Sequence, residues 1–301
     1  MSRMGLVLHP GRDCSPAVGQ VAAWTAAHDV ELVASSDDVA RLGVPGLTPV
    51  TVEELAGTCD GIIALGGDGT LLGAMRLVSA RPVPVLGVNF GNLGFLAEVE
   101  GADLDAALSA MADGRSTVEV RGCLVVRHVG GESLAFNDAV LARVPGEGMV
   151  EATLSVADRR YGHYRCDSLI LATPMGSTAY SYAAGGPVVS PGIEGILVTP
   201  SAPLSGISRS VLLGPGEPLR LELTAGRPAV ELDGVLTGRL EPSEVLEVVW
   251  RPDAGRLVRI DDSAAADRRR VKLSLLDLPL LPQELAELLP EPLRRRVADA
   301  D

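Results

Sequence analysis

The chain has 301 residues, and at about 150 residues per domain that length predicts two domains, each able to bury its own core. Its 26 basic and 39 acidic residues leave a formal net charge of −13, on a background of 47% hydrophobic and only 3% aromatic residues. This balance fits a soluble globular protein and excludes a surface built to neutralise nucleic-acid phosphates or to stack single-stranded bases.

In chain order, residues 5–8 form a short strand ending in His9-Pro10-Gly11, and residues 15–28 carry Val18, Val21, Ala22 and Thr25 at helical spacing. Residues 60–65 are a continuous apolar strand, 70–80 a helix and 83–88 another strand. This βαβ pattern predicts a Rossmann-like parallel sheet with its ligand site at the carboxyl ends of the strands, where the glycine-rich turns fall. A helix at 104–111 follows. Short alternating runs then take over, such as Leu219-Arg220-Leu221-Glu222-Leu223 and residues 245–250, separated by Gly226 and Gly255. The expected organisation is an α/β domain over 1–117, a β-rich domain over 118–262 and a C-terminal segment over 263–301.

The available side chains narrow the chemistry. Lys272 is the sole lysine and stands in Arg269-Arg270-Val271-Lys272-Leu273, which is neither a Walker A loop nor a setting for Schiff-base chemistry. Cys14, Cys59, Cys123 and Cys166 include no Cys-x-x-Cys pair, and His9, His28, His128 and His163 show no metal-ligand spacing, so no protein-held zinc is expected. Residues 1–10 are not a signal peptide, and no apolar run approaches the ~20 residues that span a bilayer. The expectation is a cytoplasmic protein with reduced thiols and no membrane partner.

The most informative segment is Gly66-Gly67-Asp68-Gly69-Thr70, between the apolar strand and the following helix. Glycines permit positive φ and close approach of a ligand, and free amides at a helix start form an anion site suited to phosphate. Asp68 is out of place there, because a carboxylate repels the charge those amides attract. It therefore needs a task of its own: accepting a proton from an attacking hydroxyl, helping to hold magnesium, or hydrogen-bonding its own turn. A dehydrogenase-type dinucleotide site competes, since Gly67, Gly69 and Gly73 approximate its fingerprint. The next strand, Leu86-Gly87-Val88-Asn89-Phe90, lacks the acidic residue that fold uses on the ribose.

These residues resemble the NAD kinases, a family akin to the diacylglycerol kinases and related to the phosphofructokinases through the Gly-Gly-Asp-Gly turn. The likeness extends to residues 84–96, with Gly91-Asn92-Leu93-Gly94-Phe95, and to Asp167-Ser168-Leu169-Ile170-Leu171-Ala172-Thr173-Pro174-Met175-Gly176-Ser177-Thr178-Ala179-Tyr180, followed by Ala184-Gly185-Gly186-Pro187. It runs from about residue 5 to residue 200. It implies an α/β domain, a β-sandwich domain and a C-terminal segment returning to the first. The implied activity is ATP-dependent phosphorylation of the adenosine 2′-hydroxyl of NAD, giving NADP, with magnesium accompanying ATP, in a homodimer or homotetramer.

By the same resemblance Asp68 is the general base, and Gly66, Gly67, Gly69 and Thr70 hold the donor phosphates. Phe95, Asn137, Asp138, Arg165, Asp167, Thr178, Ala179, Tyr180 and Ala183 correspond to positions around NAD. Asp138 is one methylene shorter than the usual glutamate. Met175 stands where Thr or Ser is usual, Ser168 replaces a glycine, and Pro203-Leu204-Ser205-Gly206 occupies a region where many members carry a histidine. These departures all touch the acceptor side. They keep open two alternatives to NAD kinase activity, a catalytically weak NAD(P)-sensing paralogue and a kinase for a lipid or sugar hydroxyl.

Overall fold

A computed structural model of the chain describes residues 1–89, 96–97, 99–190 and 192–260; Phe95 and the segment 263–301 lie outside these residues. The described chain divides into two units. One comprises Met1–Leu71 and Pro84–Glu119 with residues 257–260, the other Leu72–Val83 and Val120–Arg256.

The first unit alternates strands and helices: β1 (Arg3–Leu8), α1 (Ser15–Ala27), β2 (Glu31–Ser35), α2 (Ser36–Leu42), β3 (Thr48–Val50), α3 (Val52–Thr58), β4 (Gly61–Leu65), the start of α4 (Asp68–Leu77), whose residues 72–77, Arg76 included, belong to the second unit, β5 (Pro84–Asn89), β6 (Val99–Glu100) and α5 (Leu104–Ala112). Its strands pair in the order β3-β2-β1-β4-β5, all parallel. A parallel sheet covered on both faces needs strands that are apolar throughout, and β4 meets that requirement with all five residues buried. Met4, Leu6, Ile63, Leu65, Leu86 and Val88 join the buried side chains of α1 and α5 in one core. The short helices are closed by side chains: Ser35 caps α2, and Thr51 with Glu54 forms a capping box on α3. The strand order reverses direction between β1 and β4, and ligands of such sheets bind in the crevice at that point, outside the strands' carboxyl ends. Those ends carry His9 and the Gly66–Thr70 turn.

The second unit contains β7 (Thr117–His128), β8 (Gly131–Ala135), β9 (Asp138–Ala142), β10 (Val150–Val156), β11 (Arg159–Cys166), β12 (Ser168–Ala172), the single turn α6 (Tyr180–Ala183), β13 (Ile196–Ser201), β14 (Ser205–Gly206), β15 (Val211–Leu213), β16 (Leu219–Ala225), β17 (Ala229–Leu232), β18 (Val235–Arg239) and β19 (Val245–Arg259). One antiparallel sheet runs β15-β13-β12-β9-β17-β18, and facing it are β14-β11-β10-β16-β19 with β7 and β8. Alternation fills the space between them. Val150, Ala152 and Leu154 of β10 and Leu219, Leu221 and Leu223 of β16 meet Leu169 and Leu171 of β12 and Ala139 and Leu141 of β9. The result is the expected β-sandwich. No helix among the described residues is long and apolar enough to cross a membrane.

Leu171 is fully enclosed in this interior. Leu171→Ala is expected to cost about 2–5 kcal/mol through lost contacts and a residual cavity, read as a lower urea midpoint at unchanged slope.

Candidate functional site

In the first unit, the amide of His9 donates to Leu65 O at 3.0 Å and that of Gly66 to Val88 O at 2.9 Å, which ties together the ends of β1, β4 and β5. Gly66 is required by packing, because a Cβ there would overlap the Thr70 side chain. Gly67 and Gly69 differ, since a Cβ on either would meet nothing within 4 Å. None of the three has positive φ, contrary to the conformational role expected of them; they keep the turn slim and leave open space before it. Thr70 also departs from expectation, its amide donating to Gly67 O at 3.0 Å. Among the described residues no carbonyl accepts from the amides of Gly67 and Gly69, which stand at the positive end of the ten-residue α4.

Asp68 opens α4, and it is half-buried. Its Oδ1 accepts from the amides of Leu96 at 3.0 Å and Ala97 at 3.2 Å. Two donors on one oxygen fix the plane of the carboxylate.

In the second unit a second cluster forms around β9. Ala172 pairs with Asp138 across β12 and β9, and the chain leaving β12 folds back over the sheet's outer face, where Val140, Ile170, Ala172, Leu197 and Val189 pack. Thr173 anchors this fold-back. Its amide donates to Asn137 O at 2.8 Å and its hydroxyl to Phe136 O at 2.7 Å, while the hydroxyl accepts from Gly176 at 2.9 Å. Gly176 packs so closely on Asn137 that a Cβ would overlap the Asn137 backbone. The amide of Tyr180 donates to the Asp138 carboxylate, and the phenol reaches Ser168 Oγ at 3.5 Å, so the tyrosine lies along β12. At 41% exposure its ring is available to a ligand. The structure thus brings Asn137, Asp138, Thr178, Ala179 and Tyr180 together, with Ala183 exposed on α6 beside them.

The organiser of this cluster was not singled out in the sequence. Asp233 and Gly234, with φ of 47° and 76°, form the two-residue turn between β17 and β18. The Asp233 carboxylate is fully enclosed and accepts from the amides of Phe136 at 3.1 Å, Asn137 at 2.7 Å and Asp138 at 3.2 Å, while pairing with Arg76 of α4. The available signal was Asp-Gly between two β-like runs, which marks a hairpin and not a binding residue.

Arg165 is exposed and Asp167 half-buried, and both are already paired, Arg165 with Glu151 at 2.9 Å and Asp167 with Arg143 at 3.2 Å. Met175 and Ser168, two of the departing positions, are buried, whereas Pro203 to Gly206 are exposed. Among the described residues no group of three or more His, Cys, Asp or Glu converges to hold a metal ion.

Burial, reinforced by the negative charge of Asp233, raises Asp138 from its ordinary 3.8 to about 7. Between those values the folded chain keeps a proton that the unfolded chain has lost. The stability this group contributes is therefore complete below pH 3.8 and is lost as pH rises through about 7. Melting temperatures across that range are expected to fall less steeply in Asp138→Asn than in the parent. Asp233→Ala leaves three amides and Arg76 without their acceptor and is expected to cost about 3 kcal/mol or more, measured by urea unfolding.

Residues 19–116 match the family model described as the ATP-NAD kinase N-terminal domain, and residues 136–260 that of the ATP-NAD kinase C-terminal domain. The chain is 34% identical to NAD kinase 1 of Streptomyces avermitilis, over 93% of this chain and 89% of that one. It is 40% identical to the NAD kinase of Symbiobacterium thermophilum, over 78% and 85% of the two chains. In fold it is similar to yeast NADH kinase complexed with NADH (TM-score 0.83, 21% identity, 93% and 90% of the two chains). It is also similar to an NAD kinase from Archaeoglobus fulgidus in complex with ATP (TM-score 0.70, 23% identity, 90% and 98%). The Gly-Gly-Asp-Gly turn, the β-sandwich and these matches over both units agree, and the chain belongs to the ATP-NAD kinase family.

Proposed function

We propose that this chain transfers the γ-phosphoryl group of ATP to the adenosine 2′-hydroxyl of NAD, forming NADP and ADP, with Asp68 as the general base. The observation that carries this reading is the clamped carboxylate at the head of α4, one oxygen held by the amides of Leu96 and Ala97. Asp68 takes the proton as the 2′-oxygen forms its bond to Pγ. The bond from Pγ to the β,γ-bridging oxygen breaks, ADP departs, and the base returns its proton to solvent. Because such transfers pass through a loose transition state, orientation and charge stabilisation supply most of the rate.

The amides of Gly67 and Gly69 serve the donor phosphates, and Gly66 keeps the turn close to the sheet. Asn137, Asp138, Thr178, Ala179, Tyr180 and Ala183 serve NAD: an amide and a carboxyl suit ribose hydroxyls or an exocyclic amine, and the exposed tyrosine face suits a purine. Magnesium enters with ATP as part of the substrate, ligated by phosphate oxygens and water. Arg165, exposed on the sandwich, and the half-buried Asp167 extend the acceptor site in a homo-oligomer. A cytoplasmic location suits substrates of this kind.

Purified protein with ATP, magnesium and NAD is expected to form NADP. Asp68→Asn is expected to retain the melting temperature and ATP binding while turnover drops by orders of magnitude. NADP formation at the parental rate would remove Asp68 from its role, and none by the parent would favour the NAD(P)-sensing alternative.

A further inference from the structure

Beside the Arg76–Asp233 pair the second unit opens a cleft of about 450 Å³, within the range that small-molecule sites occupy. Arg76 and Arg251 line it together with the apolar side chains of Leu134, Leu232 and Val235. The charges on its walls do not cancel. Arg76 is matched by Asp233, and Glu132 on the rim by Arg127 at 2.8 Å. Arg251 donates to Ser79 O at 3.1 Å and to the Cys123 thiol, but has no carboxylate partner among the described residues. Burial pushes that thiol up to about 11, so it is neutral at physiological pH and does not offset the guanidinium. A net positive cleft with an apolar wall stands on a protein whose overall charge is −13.

We propose that this cleft binds a small organic oxyanion, a phosphate or carboxylate whose charged head lies on Arg251 and Arg76 and whose carbon skeleton lies on Leu134, Leu232 and Val235. Guanidinium groups suit such heads because their planar donors match two oxygens at once. Occupancy also reaches beyond the cleft. Arg76 is partly exposed and holds Asp233, which in turn holds the backbone of Phe136, Asn137 and Asp138. An anion that recruits Arg76 weakens the counter-charge on Asp233 and loosens that backbone, so it lowers affinity for NAD. This coupling rests on the proposed role of Asn137 and Asp138; binding in the cleft does not.

The test is isothermal titration calorimetry of the full chain at low ionic strength, without nucleotide, using glycerol 3-phosphate and citrate as separate probes. At least one is expected to bind saturably, which tells a phosphate from a carboxylate ligand. Arg251→Ala and Val235→Glu are each expected to weaken it by about tenfold or more, the loss of one charged hydrogen bond or more. Val235 is 53% exposed, so its replacement adds a negative charge to the cleft while sparing the contacts of Arg251. No saturable heat with either probe, or equal affinity in parent and Val235→Glu, overturns the site. Titrating NAD with the bound probe present is expected to show weaker NAD binding in the parent and no such effect in Val235→Glu. Unchanged NAD affinity with the probe bound overturns the coupling. Failure of NAD to bind at all, with the probe still binding, counts instead against the function proposed above.

Discussion

The candidate acceptor site depends on one enclosed carboxylate. Stripping a carboxylate of water costs several kcal/mol, and the cost is recovered only if every lone pair finds a strong donor. Asp233 finds four: three consecutive amides at the entrance to β9 and the guanidinium of Arg76. The dependence is mutual. The amides of Phe136, Asn137 and Asp138 all donate to it, so the chain entering β9 adopts the path that the Asp233 carboxylate dictates. A two-residue turn with positive φ at both positions carries the aspartate, so the geometry of the hairpin sets the position of a charge used on the neighbouring strand.

That charge also tunes what lies beside it. Asp138 is buried next to Asp233 and is compensated by a backbone donor from Tyr180, and its pKa rises to about 7. A proton there can be gained or lost near neutrality, which makes Asp138 able to accept from or donate to a ribose hydroxyl. Its shorter side chain relative to the usual glutamate is thus accompanied by deep burial. The same outer face of the sandwich supplies Thr173, whose one hydroxyl and one amide bind the fold-back to Phe136 and Asn137. Backbone and hydroxyl groups of the peptide 173–180 tie it to the chain at the entrance to β9.

The first unit applies a different principle. A parallel sheet buries both faces and leaves function to the loops at its carboxyl edge. The turn at 66–70 is slim for two reasons: Gly66 touches Thr70, and Gly67 and Gly69 leave space where side chains would stand. The amides of Leu96 and Ala97 hold the carboxylate of Asp68, which stands between those two glycines in the chain. Positive φ, the usual reason for glycine in a tight turn, plays no part.

Sequence alone determined whatever rests on local pattern. The apolar run of β4, the turn after it, the helical spacing of α1 and α5 and the strict alternation of β16 each carry their own physical cause within a few residues. The elements between residues 31 and 58 were not legible, because α2 and α3 are seven residues long and bury no residue and one residue respectively, too little to print a period. The candidate acceptor residues were named by resemblance, since Asn137 and Asp138 show no pattern of their own. Asp233 escaped notice because its importance lies about 95 residues away in the chain, in amides that any residue carries. The partners of a carboxylate are chosen by which backbone the fold sets against it. Only the tertiary structure could therefore turn a hairpin aspartate into the anchor of β9, and set Arg251 and Arg76 on the wall of one cleft.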